Sequence, residues 1–349
     1  MKITKPKFVS SMKALSGALS KQLAGRRYVI LTDEMVGELC LPQLIEALGD
    51  HSPLDIIEVE SGEACKSPEV CFHLWSHLLE LEFTKSDVLV CLGGGSVSDM
   101  GGFVAATYKR GISCIVIPTT LLAMTDAAIG GKNGVDLSNV KNVIGTLVQP
   151  EVVLVYPQFC STLSDAQFLS GMAEVIKHGI IAGGELWSLL QTLSPQVREI
   201  PLQILRRSVE VKLTIVREDP LEKGRRKVLN FGHTIGHAIE SAALHDEKAI
   251  EHGLAVAMGM MVEVKLAERL GLISSNDTNE IVRVLQAWYM DVLPNFPNWK
   301  KVEPFLSHDK KVEQKKNVYA LPVSVGCFEI VYTESALDVQ VAYNEFVED

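Results

Sequence analysis

The chain has 349 residues, 47% of them hydrophobic and 22% charged. That composition excludes a mainly disordered, collagen-like or coiled-coil polymer, and at roughly 100–200 residues per domain it suggests two folded domains. Its 33 Lys and Arg against 43 Asp and Glu leave a formal charge of −10, which argues against nucleic acid or an anionic membrane as the main partner.

The N-terminus lacks a continuous apolar segment, and no run of about 18 apolar residues occurs anywhere. The seven cysteines are odd in number, scattered and never in a CxxC pair. They read as buried thiols rather than a disulfide framework or a structural zinc site. A cytoplasmic protein is expected.

In chain order, 27–32 (RYVILT), 55–59 (DIIEV), 87–92 (DVLVCL) and 112–117 (ISCIVI) read as strands, the middle of each apolar enough for burial on both faces. The amphipathic segment 68–81 reads as a crossover helix, and 152–155 offers a further strand. After about residue 165 the periodicity turns helical, over 171–181, 203–217, 236–243, 254–270 and 279–290. Strand signals return only at 318–322 and 327–331. The expected fold class is therefore an N-terminal α/β domain with a Rossmann-like parallel sheet, 1–165, followed by a mostly α-helical domain, 166–349. With no repeat and no low-complexity linker, the two are expected to pack around a shared cleft.

Directly after DVLVCL stand Gly93, Gly94, Gly95 and Ser96, and then VSDMGG opens a helical run. Glycines at a strand-to-helix junction let backbone N–H groups approach a phosphate at the positive end of the helix. The spacing is not GxGxxG, so relief of crowding is an equal reading of this turn alone. Thr119 and Thr120 follow the next strand, and Asp33 follows the first. At the carboxyl ends of strands they suit either a cofactor or a helix cap.

The helical half carries Glu174 in GMAEVIKHG, His233 and His237 in NFGHTIGHAIE, and His252 in EHGLAVAMGM. His233 and His237 are four apart and share a helix face. A lone histidine is more often a core or surface residue, but imidazoles and a carboxylate at glycine-flanked helix starts suit a divalent metal with an open coordination position. Lys132, Lys141, Lys177, Lys212, Arg225, Arg226, Lys310 and Lys311 lie in neighbouring segments. Basic groups inside apolar, glycine-rich stretches of an acidic chain suggest capture of a phosphate or carboxylate, although Arg225 and Lys311 read better as solvated surface charge.

Together these segments resemble the 3-dehydroquinate synthase family of sugar phosphate cyclases. The similarity runs in order through SGEACKS, GGGSVSDMGGFVAATYKRG, PTTLLAMTDAAIGGKNGVD, KNVIGTLVQP, GMAEVIKHG, REDPLEKGRRKVLNFGHTIGHAIE, HGLAVAMGM and HDKK, and so covers most of the chain. The resemblance implies an NAD-binding first domain, a second domain carrying zinc or cobalt, and a homodimer.

It places the metal ligands on Glu174, His233 and His252 and makes His237 a substrate-site histidine. Asp126, Lys132, Lys177, Lys212, Arg226, Asn230 and a lysine of HDKK, Lys310, are implied to line the substrate site, with Arg110 reaching into the partner subunit's phosphate pocket. For NAD it points to Asp33, Glu63, Lys66, Gly94, Gly95, Ser96, Asp99, Thr119, Thr120, Lys141, Asn142, Thr162 and Leu163. The implied reaction takes the sugar acid phosphate DAHP to 3-dehydroquinate and phosphate. NAD oxidises the C5 hydroxyl while the metal holds the C4 and C5 oxygens. Phosphate is eliminated, NADH returns the hydride, and ring opening and an intramolecular aldol step close the carbocycle.

Some positions depart from the family pattern. HGEAV is here His252-Gly253-Leu254-Ala255-Val256, NHPLGKN is Asp136-Leu137-Ser138-Asn139-Val140-Lys141-Asn142, a usual proline and arginine are Ser164 and Ala166, and Met35 replaces a frequent asparagine. Three rivals follow: a sister cyclase for another sugar phosphate, a metal-dependent polyol dehydrogenase of the glycerol dehydrogenase type, in which Glu174 and His178, four apart, would form a different metal pair, and a catalytically dead homologue. Retention of Lys212, Asn230 and His237 argues against the first, and retention of every ligand position against the last.

Overall fold

A computed structural model describes residues 3–138, 140–306, 317–333 and 336–347. The chain divides between Ser164 and Asp165 into two compact units.

The first unit is built on strands β1 (Lys7–Phe8), β2 (Tyr28–Asp33), β3 (Asp55–Val59), β4 (Val88–Gly93), β5 (Ser113–Pro118) and β8 (Val152–Val155), which form a six-stranded sheet in the order β1-β8-β5-β4-β2-β3. Every neighbouring pair in it is parallel. Helices α1 (Met12–Leu23), α2 (Glu34–Leu39), α3 (Leu41–Leu48), α4 (Pro68–Glu80) and α5 (Gly95–Thr107) supply the crossovers. β2, β4 and β8 are buried along their whole length, so their apolar runs need no alternation. Ser11 and Ser67 accept from the amides of Ala14 and Val70 and cap α1 and α4, contacts worth about 1 kcal/mol each.

One expectation needs correction here. The segment Asp55–Val59 is a strand but is not buried on both faces: it forms the sheet edge, with exposed and half-buried residues alternating. Its Asp55 and Glu58 suit an edge, where charge discourages pairing with another chain. The sequence reading also missed the antiparallel hairpin of β6 (Lys132–Leu137) and β7 (Val140–Leu147). β6 packs on α5, and β7 is largely exposed.

The second unit comprises α6 (Asp165–Ala182), α7 (Gly184–Thr192), α8 (Leu202–Glu218), α9 (His233–His245), α10 (His252–Arg269), α11 (Ser275–Tyr289), α12 (Trp299–Leu306) and α13 (Ala336–Asn344), with the antiparallel hairpin β9 (Asn317–Ser324) and β10 (Cys327–Thr333). α6 is buried continuously from Phe168 to Ile181, and α10 from Gly253 to Val264. α6 and α10 pack on each other; α7, α8 and α11 pack on α6, and α9, α11 and α13 on α10. Among the described residues no helix is long and apolar enough to cross a membrane. Six cysteines are buried, as expected, whereas Cys327 is exposed on the β9–β10 hairpin.

Candidate active site

In the first unit, β3 lies on one side of β2 and β4 on the other, so the chain reverses direction across the sheet between β2 and β4. Open α/β sheets bind ligands at the carboxyl ends of the strands beside such a reversal. Asp33 ends β2 and Gly93 ends β4. Gly94 is the N-cap of α5, and no side chain among the described residues caps that helix. A Cβ on Gly93 would lie 2.5 Å from the Val97 Cβ, and one on Gly94 would lie 3.1 Å from Thr120 Cγ2. The turn is thus narrow and leaves its backbone amides at a helix N-terminus, which fits the pyrophosphate of a dinucleotide. Thr119 and Thr120 follow β5. The Thr119 hydroxyl is buried without a hydrogen bond among the described residues, while Thr120 Oγ1 accepts from Ala123 N at 3.1 Å as a cap. Asp33 likewise caps α2 through Val36 N at 3.0 Å and accepts from Ser61 Oγ at 2.9 Å.

Beside this turn a buried lysine gathers much of the implied cofactor set. Lys66 Nζ donates to Glu63 Oε1 at 3.2 Å, Asp99 Oδ2 at 3.1 Å and Asn142 Oδ1 at 2.8 Å. Ser96 Oγ donates to Glu63 Oε2 at 3.0 Å. Burial alone would lower the Lys66 pKa, but Asp99 and then Glu63 outweigh it and raise it. Burial likewise works against ionisation of Glu63, and Lys66 and Lys141 reverse the sign and hold its carboxyl below the usual range. Thr162 stands at the end of a short helical turn, its Oγ1 3.5 Å from Cys40 Sγ, with Leu163 next. Asp126 is half-buried in the π-helical turn Ala123–Ala127. Lys132 and Arg110 are exposed, Arg110 with a left-handed φ of 66°.

In the second unit the three imidazoles of His233, His237 and His252 converge. Ring centroids are 5.3, 5.5 and 5.6 Å apart, and one nitrogen from each lies within 4.8 Å of the others. His233 and His237 occupy successive turns of one face of α9, and His252 begins α10. Glu174, on α6, has no solvent exposure; its Oε1 is 3.5 Å from His233 Nε2, and its Oε2 forms an ion pair with Lys177. Neither oxygen meets hydrogen-bond geometry with a group among the described residues.

Partners on the far side of two rings set their tautomers. His233 Nδ1 is 3.0 Å from the Phe231 carbonyl, which only accepts, so in the neutral ring Nδ1 carries the proton and Nε2 has the lone pair a metal needs. His252 Nδ1 faces Glu240 Oε2 at 3.2 Å with the same consequence. Two imidazoles with lone pairs turned inward, a third beside them and a buried carboxylate form a donor set that fits zinc or cobalt. His178, the rival partner for Glu174, is hydrogen-bonded through Nδ1 to Ser208 Oγ at 2.8 Å.

Lys177, Lys212 and Arg226 are buried cations of this unit. Arg226 is held by the loop after α8: Asp219 accepts from the amides of Lys223, Gly224 and Arg226 at 3.0, 2.7 and 3.1 Å, and Arg226 Nη1 donates to the Pro220 carbonyl at 2.8 Å. Asn230 Nδ2 donates to Glu222 Oε1 at 3.0 Å. Lys310 lies outside the described residues. Sequence reasoning missed Glu240, Asp219 and Glu263. The signal for Glu263 was its spacing: eleven residues beyond His252 is about three helical turns, which returns it to the same face of α10.

Comparison with known proteins agrees with both halves. Residues 56–170 match the family model for the 3-dehydroquinate synthase N-terminal domain, and 171–312 match the C-terminal one. The 3-dehydroquinate synthase of Pyrococcus furiosus is 38% identical over 323 residues, 92% of this chain and 93% of that protein. That of Streptococcus pneumoniae (strain Hungary19A-6) is 40% identical over 292 residues, 82% and 81% of the two chains. Among solved structures, 2-epi-5-epi-valiolone synthase from Streptomyces hygroscopicus with NAD+ and Zn2+ bound aligns with a TM-score of 0.88 and 26% identity, covering 99% of this chain and 98% of that one. A probable glycerol dehydrogenase from Sinorhizobium meliloti shares the fold at a TM-score of 0.57 and 16% identity, over 99% and 98%. The chain belongs to the 3-dehydroquinate synthase family of carbon–oxygen lyases.

Proposed function

We propose that this chain converts 3-deoxy-D-arabino-heptulosonate 7-phosphate to 3-dehydroquinate and phosphate. The observation that carries this reading is the convergence of His233, His237 and His252 beside the buried carboxylate of Glu174, in a chain with both halves of the family. His233, His252 and Glu174 would hold the metal, and His237 would contact substrate. The glycine turn with Asp33, Glu63, Lys66, Gly94, Gly95, Ser96, Asp99, Thr119, Thr120, Lys141, Asn142, Thr162 and Leu163 would hold NAD. When bound, NAD supplies a reversible hydride acceptor and the divalent metal supplies Lewis-acid polarisation of substrate oxygens.

The rest falls to the chain's own groups. Lys177, Lys212 and Arg226 place positive charge in low-dielectric surroundings, where attraction for a carboxylate and a phosphate is strongest. Asp219 holds the Arg226 backbone and the Pro220 carbonyl accepts from its Nη1, so the guanidinium is positioned before substrate arrives. Asp126, Asn230 and His237 would orient hydroxyls by hydrogen bonding, and Lys132 and Lys310 would add positive charge. Arg110 would act on the phosphate across a homodimer.

Phosphate release from this substrate, with absorbance at the NADH band followed in parallel, tests the reading. Release that requires NAD and a divalent metal, without net NADH, is expected. NADH accumulating on glycerol or another polyol, with no phosphate released, would assign the chain to the dehydrogenases that share the fold.

A further inference from the structure

Glu263 is a carboxylate without solvent exposure in the middle of α10. Its Oε2 accepts from Gly232 N at 2.7 Å and its Oε1 from Ile235 N at 3.2 Å. These amides belong to the N-cap and first turn of α9, the segment that carries His233 and His237. A helix normally caps its own first turn with Ser, Thr, Asp or Asn. Here that is prevented: Gly232 has a left-handed φ of 77°, and a Cβ would lie 2.4 Å from Met260 Cγ and 2.8 Å from the Val256 carbonyl. The backbone of α10 fills the space a capping side chain would need, and α10 returns a carboxylate in its place.

The geometry points to Glu263 as a positioning residue for the metal centre: by capping α9 from α10, it fixes His233 and His237 in register with His252. This rests on the metal-binding reading of the three histidines. One carboxylate ties the helix bearing two imidazoles to the helix bearing the third. A buried anion at a helix N-terminus is also favoured by the helix dipole. Glu263→Gln keeps the volume and one acceptor oxygen but turns an NH2 donor toward a backbone N–H. Donor then faces donor, and the first turn of α9 must shift.

Cobalt(II) titration of metal-free protein, followed by visible absorption in competition with a chelator, needs neither substrate nor NAD. Metal affinity in Glu263→Gln is expected to fall by about 10- to 100-fold, the usual scale for groups that orient ligands. Its absorption bands should change while far-UV circular dichroism stays that of the parent. Glu263→Asp, which keeps the charge, should recover part of the affinity. Parental affinity and bands in Glu263→Gln would overturn the role of Glu263 alone. Failure of the unsubstituted protein to bind cobalt would overturn the metal reading, and this inference with it.

Hydrogen exchange on the unsubstituted protein tests the same point without a variant. The Gly232 and Ile235 amides should be protected in the metal-free state and gain protection when cobalt binds. Exchange as fast as an exposed amide, or unchanged by metal, would contradict the proposal.

Discussion

Lys66 Nζ donates to Asn142 Oδ1 at 2.8 Å, and so joins the segment before α4 to the β6–β7 hairpin. The joint is reinforced from the hairpin side: Asp136 accepts from Asn142 N, and its own amide donates to the Lys66 carbonyl at 2.8 Å. A single buried ammonium thus holds Glu63, Asp99 and the hairpin around the glycine turn.

Lys66→Met should leave Asp99 and Glu63 facing each other without their shared cation. A loss of about 2 kcal/mol is expected from the charged hydrogen bonds, together with much weaker NAD binding. Urea denaturation and an NAD titration by calorimetry check the two effects separately.

The same cluster predicts a pH dependence. The Glu63 carboxyl titrates lower in the folded protein than in the unfolded chain. Between those two values the unfolded state binds more protons, so stability rises with pH. Its contribution is complete above the ordinary carboxylate range and disappears as pH falls through the lowered value. Lys66, raised, contributes below the ordinary lysine range and loses that contribution as pH rises through its higher value. Glu63→Gln should flatten the acid side of a stability–pH curve measured by denaturation, whereas an unchanged slope would remove Glu63 as its source.

Glu174→Gln and His252→Ala should each abolish metal binding and turnover together. Metal content by elemental analysis, measured beside phosphate release, checks this. Full activity in either variant without metal would withdraw the ligand assignment.

Much of this was legible in the sequence, for identifiable reasons. Continuous apolar runs such as 88–92 betray buried parallel strands, and the four-residue spacing of His233 and His237 places both on one helix face. The β6–β7 hairpin was not legible, because β7 is largely exposed and carries no apolar alternation to mark it. Thr120 and Asp33 suited cap and ligand alike, and both do cap helices in the structure. Glu240 and Glu263 are carboxylates on helices, which in sequence look like solvated surface charge. The spacing of Glu263 from His252 puts both on one face of α10, but the packing of α9 on α10 and the facing His252 ring are needed to reveal what Glu263 and Glu240 hold.

Gly259→Ala should be severely destabilising. A Cβ there would lie 2.0 Å from the Gly232 carbonyl oxygen and 2.6 Å from Gly236 N, both backbone atoms of the segment bearing the histidines. A cost of about 3 kcal/mol is expected from forced separation of the helices, read as a fall in Tm with weakened metal binding.

Thiol labelling should separate the cysteines. Burial pushes Cys65, Cys71 and Cys160 up to about 12, so thiolate is scarce at neutral pH. A thiol reagent on native protein should modify Cys327 first, with the buried thiols reacting only on unfolding; peptide mass spectrometry identifies the site.

The most direct measurement supplies the sugar acid phosphate in large excess over NAD and counts turnovers. If NAD is reduced and reoxidised within one catalytic cycle, released phosphate should exceed the NAD present many-fold, with carbocyclic 3-dehydroquinate appearing in equal amount. Release that stops at one phosphate per NAD, or that accompanies accumulating NADH, would contradict a synthase.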